Sequence, residues 1–77
     1  MSVRASKRAF NGDVGRLVRK HRHWHETTQE RLARTAGISR STLASIETGR
    51  ISPTAFSLWR IADALGLSVD CFMPKQP

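Results

Sequence analysis

Between residues 29 and 49 the chain runs Gln-Glu-Arg-Leu-Ala-Arg-Thr-Ala-Gly-Ile-Ser-Arg-Ser-Thr-Leu-Ala-Ser-Ile-Glu-Thr-Gly, and that run leaves its fold little freedom. Leu32, Ala33 and Ala36 share one face of a first helix, and Leu43 and Ile46 share one face of a second. Between them Gly37 takes a positive φ without steric cost, and Ile38 is the apolar residue that tucks under the turn. Ser39 then offers a side-chain oxygen to the free N–H groups that open the next helix. The pattern predicts two short helices crossing steeply through a tight turn.

The remaining sequence supplies what such a pair must pack against. Asp13 is suited to cap a helix running from Val14 to about His25, with Val14, Leu17, Val18 and His21 on its inner face. Thr28 caps the second helix, Ser39 caps the third, and Gly49 ends it. A fourth helix follows, capped by Thr54 or by Ser52 with Pro53 in its first position. Ala55, Leu58, Ile61, Ala62 and Leu65 give it an inner face at helical spacing, and Gly66 stops it. Ser68 opens a short last turn carrying Val69 and Phe72. Residues 1–12 have no helical or strand period, and their only charges are Arg4, Lys7 and Arg8. They read as a flexible basic N-terminal arm before a domain at 13–73 and a short tail at 74–77. Five helices and no strand pattern predict a compact all-α domain.

A chain of 77 residues makes one small domain, and its net charge of +7 is placed unevenly. Residues 1–50 hold 11 Lys and Arg against 4 Asp and Glu, whereas residues 51–77 hold two of each. Such asymmetry orients the domain toward an anionic partner, and nucleic acid is the first candidate because clustered cations displace phosphate counterions. The alternative is an ordinary solvated basic surface. The single cysteine, Cys71, cannot form an internal disulfide, so a reducing compartment is expected. Apolar runs are short, which excludes a membrane span, and no apolar stretch follows the N-terminal cations as a signal peptide would require. A cytoplasmic protein is the expectation.

The chain resembles the Cro/repressor-type helix-turn-helix family, also called the xenobiotic-response-element family, of bacterial and phage regulators. The likeness covers about residues 13–73. It rests on Arg22, Gln29-Glu30-Arg31-Leu32-Ala33, Gly37-Ile38-Ser39, Ile46-Glu47-Thr48-Gly49, Pro53 and Ile61-Ala62-Asp63-Ala64-Leu65-Gly66-Leu67-Ser68, in order and at family spacing. It implies a five-helix lambda-repressor-like domain that binds double-stranded DNA. Two departures stand just before the second helix. The family commonly has Gly and then an apolar residue where this chain has Glu26 and Thr27, which predicts a longer or looser turn. His21 takes a position that is usually apolar.

With Leu43 and Ile46 buried, a helix turning about 100° per residue directs Ser41, Ala44, Ser45 and Thr48 outward, with Arg40 and Thr42 flanking near its start. The first residues of a recognition helix, here within 39–48, reach base edges in the major groove. Arg40 is the only long donor there, and its fork matches O6 and N7 of guanine; a phosphate contact is the alternative. By resemblance, base contacts also fall on Ser41, Thr42 and Ser45. Gln29 opens the second helix, where the dipole favours phosphate, and by resemblance it anchors the DNA backbone and braces the third helix. Thr28, Arg50, Ser52 and Thr54 complete the expected phosphate contacts. Arg22 and Glu47 are expected, also by resemblance, to pair as ions that tie the first helix to the end of the third.

Other features suggest less. His21, His23 and His25 lack a fourth partner at metal-ligand spacing, so one His toward the core and two in solvent are expected, with no metal site. Cys71 reads as a packed or half-exposed thiol. Trp24 reads as a packing residue for the turn, and Trp59 either packs in the core or joins Phe72 and Met73 at a dimer contact. There is no nucleophile paired with a base and no Gly-rich phosphate loop, so neither catalysis nor a cofactor is expected. The expected function is sequence-specific transcriptional regulation, as a repressor or autoregulator bound as a homodimer to a palindromic operator. A different reading is the antitoxin of a toxin–antitoxin pair, which would bind a partner protein and its own promoter. A toxin or polymerase is the protein partner that these readings admit.

Overall fold

The computed structural model describes residues 6–75. Four helices follow in order, α1 (Lys7–Trp24), α2 (Gln29–Ala36), α3 (Arg40–Glu47) and α4 (Ala55–Ala64), closed by a 3-10 turn at Val69–Phe72. The fifth expected helix is thus a single tight turn, and the all-α class stands. Each α-helix opens on a hydroxyl: the side chains of Ser6, Thr28, Ser39 and Thr54 accept from the backbone N–H of Ala9, Arg31, Thr42 and Ser57. Thr54, rather than Ser52 with Pro53, therefore starts α4.

The start of α1 differs from the sequence expectation. It lies at Lys7 behind the Ser6 cap, not at Val14 behind Asp13, so residues 7–12 belong to a helix and not to an arm. Residues 1–5, with Arg4, lie outside the described region. Asn11 and Gly12 read locally as breakers, because Gly inside a helix costs about 1 kcal/mol relative to Ala. Tertiary contact offsets that cost. Asn11 is buried and accepts from the Ser52 hydroxyl at 2.8 Å, while Gly12 lies so near Gly49 that a Cβ on the latter would stand 3.0 Å from its Cα. Asp13, displaced from a capping role, reaches Arg16 across 3.2 Å on the exposed side of α1.

The core is aliphatic except for one ring. Val14 and Val18 of α1, Leu32, Ala33 and Ala36 of α2, Leu43 and Ile46 of α3, and Leu58, Ile61, Ala62 and Leu65 at α4 surround Phe72. Phe72 is 0% exposed, which corrects its assignment to a dimer contact: the 3-10 turn drives its ring into the domain's own centre. Met73 is half-buried against the same core. His21 sits edge-on to Phe72 with ring centroids 5.7 Å apart, which explains a histidine in a position that is usually apolar.

Trp24 is also corrected. It is 70% exposed, lying edge-on to His21 with the Lys20 ammonium 5.0 Å from its ring, and it packs under no turn. The turn closes through the backbone instead. Thr27 N–H donates to the carbonyl of Arg22 and Glu26 N–H to that of His23, with Glu26 at φ +52°. That is a tight left-handed stop rather than the longer turn expected from Glu26 and Thr27. His25 fastens it to the end of α4 through a ring nitrogen 3.0 Å from the carbonyl of Leu65. Among the described residues no helix is long and apolar enough to cross a membrane.

Candidate nucleic-acid interface

α2 and α3 meet through the turn Gly37-Ile38-Ser39, with Gly37 at φ +75°. The backbone N–H of Ile38 donates to the carbonyl of Ala33 at 3.0 Å, and the Ser39 hydroxyl both caps α3 and donates to Thr42 Oγ1 at 2.8 Å. The starts of both helices are thereby fixed. They converge on one surface cleft lined by Arg22, Thr28, Gln29, Glu30 and Arg40.

Beneath this cleft lies a network of ions. Arg22 donates through Nε to Glu47 Oε2 at 2.7 Å and through Nη2 to Oε1 at 3.1 Å, the two-pronged geometry that makes Arg–carboxylate pairs directional. Its Nη1 donates to the carbonyl of Thr27 at 2.9 Å. The Gln29 amide donates to Glu47 Oε1 at 3.0 Å. With 12% of the Arg22 side chain and 2% of the Glu47 side chain exposed, the pair is shielded from solvent, and the extra bonds satisfy what a buried charge would otherwise lack. One carboxylate at the end of α3 thus holds α1 and the first residue of α2, and Arg22 in turn holds the loop between them. The structure brings Arg22 and Glu47 together, and Gln29 reaches the same carboxylate.

Above that network the outward face of α3 is short. Arg40 and Ser41 are exposed at its first turn, Thr42, Ala44 and Ser45 are half-exposed, and Thr48 is exposed at its end. The Arg40 guanidinium makes no ion pair or hydrogen bond among the described residues. Thr48 turns its hydroxyl back to the carbonyl of Ala44 at 3.0 Å. Two of the hydroxyls expected on phosphates are occupied inside the protein: Ser52 donates to Asn11, and Thr54 donates to Ser57 Oγ at 2.9 Å while capping α4. Thr28 caps α2 but keeps its own O–H to donate. Arg50 stands exposed just past α3, beside Thr48 and Gly49.

Four features escaped the sequence reading. Gly15 packs α1 onto α3 without a side chain; a Cβ there would collide with the carbonyl oxygens of Ile46 and Glu47. Asn11 continues the row of Val14, Gly15 and Val18 back by one turn, a spacing that was legible but masked by a polar residue. Arg60 donates to the carbonyl of Ala36 at 2.6 Å and so ties the end of α2 to α4. Phe56 stacks on Trp59 with centroids 6.2 Å apart, and the two rings are 66% and 52% exposed. Trp59 is therefore not a core residue. Among the described residues no three His, Cys, Asp or Glu side chains are grouped to hold a metal ion, and Cys71 is a half-buried free thiol.

The sequence pattern of the HTH_3 helix-turn-helix family matches residues 18–70, which contain all of α2, α3, α4 and the network around Glu47. An HTH-type transcriptional regulator of Methanothermobacter thermautotrophicus is 46% identical over 50 residues, 65% of this chain and 72% of that protein. The immunity repressor protein of Bacillus phage phi105 is 36% identical over 63 residues; the match takes in 82% of this chain but only 44% of the repressor. In three dimensions the chain is similar to the restriction-modification controller protein C.AhdI from Aeromonas hydrophila, with a TM-score of 0.80, 24% identity and coverage of 82% of this chain and 96% of that one. That likeness is one of fold. A recognition-type helix pair and a regulator's sequence pattern across most of the chain agree, and the chain belongs to the HTH_3 helix-turn-helix family of DNA-binding transcriptional regulators.

Proposed function

We propose that the domain is a sequence-specific repressor or autoregulator that binds a palindromic operator as a homodimer in the cytoplasm. The observation that carries this reading is the shared cleft at the starts of α2 and α3, which Gln29 and Arg40 line together with Arg22, the Gln29 amide being held by Glu47. With α3 in a major groove, its first turn meets base edges while the first turn of α2 meets a phosphate. Arg40 supplies the one long fork for guanine, with Ser41, Thr42 and Ser45 making short or water-bridged contacts. Gln29, Thr28 and Arg50 hold the backbone. Because the Ser52 and Thr54 hydroxyls are occupied within the protein, any phosphate contact in that loop falls to backbone N–H groups. The Phe56–Trp59 stack gives α4 an apolar outer side, and two such sides form the contact between protomers.

Selection of bound duplexes from a random pool at near-physiological salt tests the reading. It should return an inverted repeat with half-sites about 10 bp apart. Arg40→Ala should cost about 1–3 kcal/mol on the selected site and relax preference at one base pair in each half. Binding without sequence preference, or preference unchanged in the variant, would overturn this assignment.

A further inference from the structure

We propose that the first turn of α1 is a second phosphate clamp, in which Lys7 and Arg8 act with Arg50 to grip a backbone phosphate beyond the C-terminal end of α3. The inference rests on the DNA-binding reading above and adds to it a contact that the flexible-arm expectation hid. Lys7, Arg8, Asn11, Thr48, Gly49 and Arg50 line one surface cleft, separate from the one at the starts of α2 and α3. No carboxylate lines it, and none of its three cations belongs to an ion pair among the described residues. Three like charges held at one cleft repel one another, and an anion between them relieves that repulsion.

The cleft also contains a neutral donor in a fixed place. Asn11, 7% exposed, receives the Ser52 hydroxyl on its oxygen, which leaves the amide NH2 as the end available to an acceptor. The opening turn of an 18-residue helix adds a positive dipole end. The contacts of Gly12 with Gly49, and of Gly15 with the last carbonyls of α3, hold α1 against the end of the recognition helix. The cations on its first turn therefore move with α3 as one body. A phosphodiester of the strand bordering the groove is the anion that this position can meet while α3 is docked.

The test measures affinity for the selected duplex between about 50 and 200 mM salt for wild type, for Lys7→Gln/Arg8→Gln, and for a charge-matched control, Arg16→Gln/Lys20→Gln. The clamp predicts a slope of log K against log salt shallower by about 0.9 in the first variant, the value for one lost phosphate contact. It also predicts equal weakening on cognate and scrambled duplexes, an unchanged base preference and an unchanged melting temperature. The control should keep the wild-type slope. Trimming the duplex from its outer ends should abolish the difference between wild type and the Lys7→Gln/Arg8→Gln variant before base preference is lost. If wild type binds specifically but the variant keeps its slope, or the control loses as much, the clamp alone is refuted. If wild type shows no preference for duplex DNA, the DNA-binding reading fails and the clamp with it.

Discussion

Glu26 closes α1 in a conformation that glycine supplies at the ends of the other three helices. Gly37, Gly49 and Gly66 stand at φ +70° to +75°, each with the same pair of backbone bonds reaching back into its helix, and Glu26 stands at φ +52°. A side chain in the left-handed region costs about 1–2 kcal/mol because Cβ crowds the following carbonyl oxygen. The turn persists because Arg22 donates to the carbonyl of Thr27 and His25 is tied to Leu65. Glu26→Gly should therefore stabilise the domain by about 1 kcal/mol, raising Tm by about 4–8 °C. Thermal unfolding by circular dichroism measures it, and an unchanged or lower Tm would show that the Glu side chain contributes a compensating contact. The residue types at 26 and 27 suggested a loose turn, since local preference there says nothing of the bonds that Arg22 and His25 make from elsewhere.

At the scale of elements, the caps of α2 and α3 and most of the core faces of α2, α3 and α4 were legible, whereas the choice of cap for α4, the exposure of Ala55 that its helical spacing had placed inward, and the start of α1 were not. Hydroxyl caps, apolar rows at helical spacing and the Gly37 turn are local properties, so reading them needs no knowledge of neighbours. The first turns of α1 depend on what they touch: Asn11 finds Ser52, 41 residues away, and Gly12 finds Gly49. The same dependence makes Gly15 a packing residue. With α1 crossing α3 this closely, Gly15→Ala should separate the two helices and cost about 1–3 kcal/mol, despite the higher helix propensity of Ala. Chemical denaturation should show the loss as a lower midpoint with an unchanged slope, and DNA affinity should fall as α3 shifts. A midpoint that rises with helix propensity would mean that α1 yields without cost.

For the whole molecule, the distribution of charge and of exposed rings sets its outward relations. Cations cluster at the two ends of α3, Arg40 at its start and Lys7, Arg8 and Arg50 beyond its end, while the apolar stack of Phe56 and Trp59 lies on α4. If that stack joins protomers, Phe56→Ser/Trp59→Ser should leave folding intact, because both rings are exposed, and should shift the protein to monomer. Sedimentation velocity across a concentration series checks this, with cooperative binding to paired half-sites lost in parallel. A variant that still sediments as a dimer would move the interface elsewhere.

The all-α class, the helix pair at 29–47 and the outward set led by Arg40 follow from the chain's own pattern, whereas the Arg22–Glu47 link was implied by the family resemblance. Periodicity, capping chemistry and motif spacing are short-range, and a sequence displays them directly. Four things required the packed domain: that Phe72 is core, that Trp24 and Trp59 are exposed, that α1 begins at Lys7, and that Lys7 and Arg8 join Arg50. Each depends on which distant surfaces meet. An aromatic ring or a cation has no intrinsic preference strong enough to fix its place until its neighbours do.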